Sequence, residues 1–145
     1  MYGKFRTVEQ FWHLYSHMLR AEDLPLLDIN VFVEGVNPEW EDPANAKGGS
    51  WAVKLHKSIT AYCWEGILMA LIGSQIETAK GDVINGVFLS VRYKENSISV
   101  WNSNAEARDD QLTTASIRSA MELDSEFAID YRLHGVAAEQ KEYPK

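Results

Sequence analysis

The stretch INGVFLSVRYKENSISVWN, Ile84 to Asn102, alternates apolar and polar residues, and this period of two decides the fold. Such alternation marks a strand with one face buried and one face solvated. Two runs of it, GVFLSVRYK and SISVW, flank Glu95-Asn96, so the spacing predicts a hairpin turning there. Leu89, Val91 and Tyr93 then share one face of the first strand, and Ser90, Arg92 and Lys94 share the other. On the second strand Ser97, Ser99 and Trp101 fall on one face.

A sheet with one apolar face needs a cover, and the flanking sequence supplies helices. Thr7 to Gln10 reads as a capping box opening a helix that runs to about Arg20. Its apolar residues Val8, Phe11, Trp12, Leu14, Tyr15, Met18 and Leu19 cover roughly 160° of arc, wider than a core-facing stripe requires. INVFV reads as a strand, and SWAVKL, after Gly48-Gly49, as another. Ser58 to Leu71 fits a second helix, with Gly73 as its stop. Thr113 to Met121 is a third helix, and FAIDYRLH a last strand. The expected class is α+β, an antiparallel sheet with three helices covering one face.

Composition limits the functions open to this fold. The 145 residues form one expected domain, 1–145, with 46% hydrophobic and 24% charged residues, an ordinary globular balance. The single cysteine, Cys63, lies in the apolar run AYCWEGILMALIG and reads as a core residue in a reducing compartment. That run is too short and interrupted to span a bilayer, and MYGKFRTVEQFW carries no signal-peptide core, so a soluble, cytoplasmic protein with no membrane partner is expected. A net charge of −7 argues against broad attraction to nucleic-acid backbone.

Small local sites remain open. Arg92 and Lys94, about 7 Å apart along a strand, suit successive phosphates, the arginine gripping bidentately and the lysine acting as a point charge. The bland alternative is a solvated strand face. In NPEWEDPANAKGGSW, Asn37 to Trp51, Trp40 stands beside Glu39, Glu41 and Asp42. A lone tryptophan is more often core than platform. Burying this one would drag carboxylates inward at a desolvation cost, whereas a place on a concave rim would not. A glutamate next to a stacking ring can accept two hydrogen bonds from the N1 and N2 donors of guanine, which adenine and pyrimidines cannot offer.

Signs of catalysis are weak. His13 and His17 sit four residues apart on the first helix, but no acid or cysteine pairs with them, so no metal site is expected. His56 and His134 are isolated, and no HExxH, GxxxxGK[ST] or GxSxG occurs. The chain is read as a non-enzyme without a cofactor.

TVEQFWHLYSHM, GVNPEWEDPANAKGGSW, CWEGILMALIG and INGVFLSVRYKENSISVWN, in that order, resemble the translation initiation factor 4E family, which binds the 7-methylguanosine cap of messenger RNA. The wording of VEQFW, YSHM and SVRYKENSISVWN is similar to the 4E-homologous protein class, whose members often repress translation. The resemblance implies a curved antiparallel sheet with three helices on its convex face and the cap in the concave one. It implies that Trp40 is one plate of an aromatic sandwich, Glu41 the guanine-edge acceptor, Trp101 a contact of the N7-methyl region, and Arg92 and Lys94 the phosphate holders. Methylation makes the base cationic, so cation–π attraction adds to stacking. Val8, Trp12 and Met69 would form a dorsal site for scaffold or repressor proteins carrying a tyrosine/leucine-containing 4E-binding helix.

The sequence also departs from the family. The second plate comes from a segment before the first helix, where only about seven residues stand here, so that plate and the first strand are expected to be missing. A one-sided stack forgoes roughly 1–3 kcal/mol. Ser50 and Ser97 stand where the main class carries basic residues, and Met69 replaces a leucine. The expectation is a weak cap binder acting in translation initiation or its repression. The alternative is a protein-interaction module whose cap binding is weakened or lost.

Overall fold

The computed structural model describes residues 3–16, 26 and 28–135. Its elements run α1 (Val8–Ser16), β1 (Asp28–Phe32), α2 (Pro43–Ala46), β2 (Gly49–Leu55), α3 (Lys57–Ile72), β3 (Ile84–Ser90), β4 (Asn96–Asn102), α4 (Asp110–Met121) and β5 (Asp130–Leu133). The strands form one five-stranded sheet in the order β1-β3-β4-β2-β5, and every pairing is antiparallel. The α+β class read from the sequence is therefore the observed one.

Alternation along the strands separates two faces. Trp51, Val53, Leu55, Val87, Leu89, Ile98 and Val100 are buried and form one core with Cys63, Trp64, Ile67 and Leu68 of α3 and Ile117 and Met121 of α4. Helix α3 buries Thr60, Cys63, Trp64, Ile67, Leu68 and Ala70 on one broad face turned to the sheet and α4, while Tyr62 and Met69 stay exposed. Helix α4 buries Thr113, Ile117 and Met121, spaced by four, which is a single stripe. Helix α1 adds Phe11, 4% exposed, with Phe5 edge-on at 5.1 Å and Tyr15 stacked at 5.7 Å.

The wide apolar arc of α1 divides in two. Phe11 serves the core, while Val8 and Trp12 stay exposed on the outer surface. Met18, Leu19 and His17 lie outside the described residues.

Several boundaries differ from those read in the sequence. β3 stops at Ser90, and residues 91–95 form the connection, so Arg92 and Lys94 do not share a strand face with Ser90. The cause is Asn96, 2% exposed, whose Oδ1 accepts from the Arg92 amide (3.1 Å) and the Lys57 ammonium (2.8 Å). The side chain takes a backbone donor that a longer ladder would have used. Its Nδ2 donates to Thr60 Oγ1 at 3.0 Å, tying the hairpin end to α3. Helix α4 begins at Asp110, with Asp109 as N-cap accepting from the Leu112 amide, three residues before the Thr113 expected. Gly73 caps α3 with φ −82°, and the left-handed residue is Ser74 at φ 55°. The short α2 was not anticipated; Pro43 starts it and Asp42 caps it.

Candidate functional site

Among the described residues no helix packs on the other face of the sheet, whose registry sets side chains in rows. Phe32, Gly86, Trp101, Ser50 and Arg132 are successive cross-strand partners and form one row. Asn30, Phe88, Ser99, Ala52 and Asp130 form the next, and Asp28, Ser90, Ser97 and Lys54 the third. Trp101 is the centre of an aromatic cluster. Phe88 stacks beside it (5.8 Å, 11°), Phe32 meets it edge-on (5.2 Å, 87°), and its indole Nε1 donates to Ser99 Oγ (3.1 Å). Held on these sides and half-buried, the ring presents a limited edge to solvent.

Trp40 and Glu41 lie on the loop entering α2, and both are exposed. The loop is nonetheless fastened. Asp42 accepts from the amides of Asn37 and Ala44, each at 2.9 Å, and these bonds, the Asn37 one foremost, lower its pKa. Asn45, fully buried, donates from Nδ2 to the carbonyls of Asn37 (2.8 Å) and Glu39 (2.9 Å) and accepts from Asn85 Nδ2 on β3 (2.9 Å). A buried amide with its bonds made is rigid, and this one aims the Trp40-Glu41 segment from the sheet.

His134 completes the connection. Its Nδ1 lies 2.8 Å from the Asn45 carbonyl, its amide donates to Gly48 O (3.1 Å), and its ring centroid is 4.5 Å from that of Trp101. A carbonyl only accepts, so Nδ1 carries the proton and Nε2 is left as a lone-pair acceptor. That Nε2 is buried and, among the described residues, has no hydrogen-bond partner. Burial pushes the imidazole pKa below its ordinary value, and the bond to Asn45 pulls the other way. A Cβ built on the next residue, Gly135, would meet Trp40 Cζ3 at 3.8 Å. The two indoles thus flank the dipeptide His134-Gly135, which brings Trp40 and Trp101 to the same end of the open face.

The expected phosphate holders are placed differently from each other. Arg92 turns back, its guanidinium 2.9 Å from Asp28 Oδ1 and donating to the Val91 carbonyl (2.8 Å). Lys94 is exposed in the connecting loop. Both lie at the Asn96 end of β4, away from Trp101 at its other end. Ser50 and Ser97 do lie on the open face, as the alternation requires.

A second surface lies behind the sheet. Val8 (51% exposed), Trp12 (42%) and Met69 (56%) are large apolar side chains left in solvent. Trp12 contacts Tyr15 edge-on at 5.7 Å, and Tyr15 donates its hydroxyl to Glu65 of α3 at 2.8 Å. Met69, one turn after Glu65, lines a groove of about 630 Å³ between α3 and α4, with Tyr62, Gly66, Ala115 and Ala120. Among the described residues, no group of three or more histidine, cysteine, aspartate or glutamate side chains could hold a metal, and no helix is long and apolar enough to cross a membrane.

Sequence reading missed His134, Asn45, Arg132, Phe32 and Phe88 as neighbours of the site. For the last three, alternation within a strand can give a face, but only pairing order shows which share a row with Trp101. For Asn45 and His134 there was no local signal, since their contact joins residues 89 apart.

A sequence model of the family described as "Eukaryotic initiation factor 4E" matches residues 1–145. The chain is 39% identical over 132 residues to the translation initiation factor NCBP of Oryza sativa, covering 90% of this chain and 57% of that one. It is 41% identical over 135 residues to NCBP of Arabidopsis thaliana, covering 90% and 59%. The chain therefore spans a little over half the length of these relatives. Among solved structures, that of C. elegans eIF4E-3 with the 4E-binding protein Mextli and cap analog superposes with a TM-score of 0.86 at 33% identity, covering 93% of this chain and 79% of that one.

Proposed function

The chain belongs to the eukaryotic initiation factor 4E family, and from that premise we propose that it binds the 7-methylguanosine cap of messenger RNA. Trp40 stacks on the methylated base, Glu41 accepts from its N1 and N2 donors, and Trp101 lies against the N7-methyl edge. Lys94 and Arg92 meet the phosphates, Arg92 only after exchanging its Asp28 partner. The observation that carries this reading is the Asn45 and His134 network, which fixes an exposed tryptophan and glutamate beside a second tryptophan. An exposed indole gains nothing for folding by being so firmly aimed, whereas a preorganised platform loses less entropy on binding.

Val8, Trp12 and Met69 form the site for a partner's amphipathic helix with tyrosine and leucine anchors, and Glu65 beside them suits a basic residue of that helix. With both sites, the chain acts in the cytoplasm as a binding protein of translation initiation or its repression, in the manner of the 4E-homologous class, and not as an enzyme. The exposed apolar trio also favours a second reading, a protein-interaction module with little cap affinity.

A tryptophan-fluorescence titration with 7-methyl-GTP against GTP decides between them. Cap recognition requires quenching that favours the methylated base and is lost in Trp40→Ala. Equal or absent responses would leave the dorsal peptide site as the function.

A further inference from the structure

The open sheet face carries four charged residues within its three rows: Asp28, Lys54, Asp130 and Arg132. Asp28 holds Arg92 at 2.9 Å, and Lys54 lies 4.0 Å from Glu95. Arg132 differs from these in two ways. It stands in the row of Trp101, with Ser50 as the shared Cα partner of both, and among the described residues it has no ion pair. Two strand spacings put its Cα roughly 10 Å from that of Trp101, with only the small serine between. Asp130, two residues earlier on the same face, is the nearest like-facing acid in sequence; it lowers the net positive potential there without closing a salt bridge on Arg132.

The position is built, although β5 has only four residues. Tyr131 faces the core, tilted against Trp51 at 4.8 Å, donating its hydroxyl to Asn102 Oδ1 (2.8 Å), with the Arg108 guanidinium 4.1 Å above its ring. A Cβ on Gly49 would lie 2.2 Å from the Arg132 carbonyl, so only glycine allows this approach of β2 to β5. His134 clips the other end through the Gly48 and Asn45 carbonyls. Fixed on both sides, the backbone leaves the Arg132 side chain no direction but the open face, since strand neighbours alternate.

From this we infer that Arg132 is a ligand-binding residue of the Trp40/Trp101 site, donating from its guanidinium to a phosphate of the bound cap nucleotide. The inference rests on the cap reading above. A guanidinium can grip a phosphate with two parallel N–H donors, and an unpaired one has no partner to surrender first. Arg92 must break its Asp28 pair to do the same. Arg132 thus supplies the phosphate contact nearest the base, and Lys94 and Arg92 lie toward the far end of the face.

The test is a fluorescence titration of the wild type, Arg132→Gln and Arg132→Lys with 7-methylguanosine, its monophosphate and its triphosphate, at two salt concentrations. Arg132→Gln should weaken the phosphorylated ligands about tenfold, the value of one charge-assisted hydrogen bond. It should also flatten their salt dependence and leave the nucleoside unchanged, and Arg132→Lys should recover part of the loss. Wild-type affinity for the triphosphate in Arg132→Gln would overturn the inference while leaving cap binding intact. An equal loss for the nucleoside would overturn it too, by showing that the residue acts through the fold. A wild type that does not prefer methylated ligands would remove the cap reading itself, and the inference with it.

Discussion

The imidazole of His134 packs 4.5 Å from the indole of Trp101 while its Nδ1–H is donated to the Asn45 carbonyl, leaving a buried Nε2 with no partner among the described residues. A proton arriving at Nε2 would place a buried, unpartnered charge in the wall of the site. Burial lowers the folded-state pKa below the ordinary 6.5, so the unfolded chain binds that proton more tightly. Stability is then unaffected above about pH 6.5, falls as pH drops below it, and stops falling once pH passes the folded-state value. Urea unfolding between pH 7.5 and 5 should show this decline, and His134→Gln should flatten it. An unchanged slope in the variant would refute the assignment.

Asn45 holds two carbonyls of the Trp40-Glu41 loop and accepts from Asn85. Asn45→Ala leaves buried polar groups without partners and should cost about 2 kcal/mol of stability. Binding should suffer beyond that, because the loop would no longer be aimed. Titration with 7-methyl-GTP at a temperature where the variant remains folded separates the two effects. Full affinity there would show that the network serves the fold alone.

Asp28 competes with any phosphate for Arg92 at 2.9 Å. The pair is largely solvent-exposed, so Asp28→Asn should change stability by less than about 1 kcal/mol. Removing the Asp28 carboxylate that competes for the guanidinium should strengthen 7-methyl-GTP binding several-fold, and most at low salt. A weaker or unaltered affinity would place Arg92 outside the phosphate path.

Gly66 tests the packing of α3 on α4 independently of any ligand. A Cβ there would lie 2.2 Å from the Ala120 carbonyl oxygen, which is backbone and cannot rotate away. Gly66→Ala should therefore cost about 1–3 kcal/mol despite its better helix propensity. A thermal melt at or above the wild-type midpoint would show that the helices are not in this close contact.

Much of this was legible in the residues. Period-two alternation put Leu89 and Val91, both buried, on one face of the first strand and Ser97, Ser99 and Trp101 together on one face of the second, because side-chain direction in a strand follows from backbone geometry alone. The exposure of Trp40 beside Glu41 was legible, since burying it would strand three carboxylates. The hairpin end was not legible: Arg92 and Lys94 continued the alternation on paper, but the Asn96 side chain took the Arg92 amide and Asp28 took its guanidinium. Neither competitor follows from the pattern.

The sequence by itself determined the α+β class, the five strands, the three longer helices and the face taken by the side chains within the paired strands, because these depend on propensity and periodicity among near neighbours. Only the tertiary structure decided that Arg132 shares a row with Trp101, that His134 closes on Asn45, and that Arg92 is held by Asp28. Those relationships depend on which strands pair and in what register, and pairing is set by how the whole core packs.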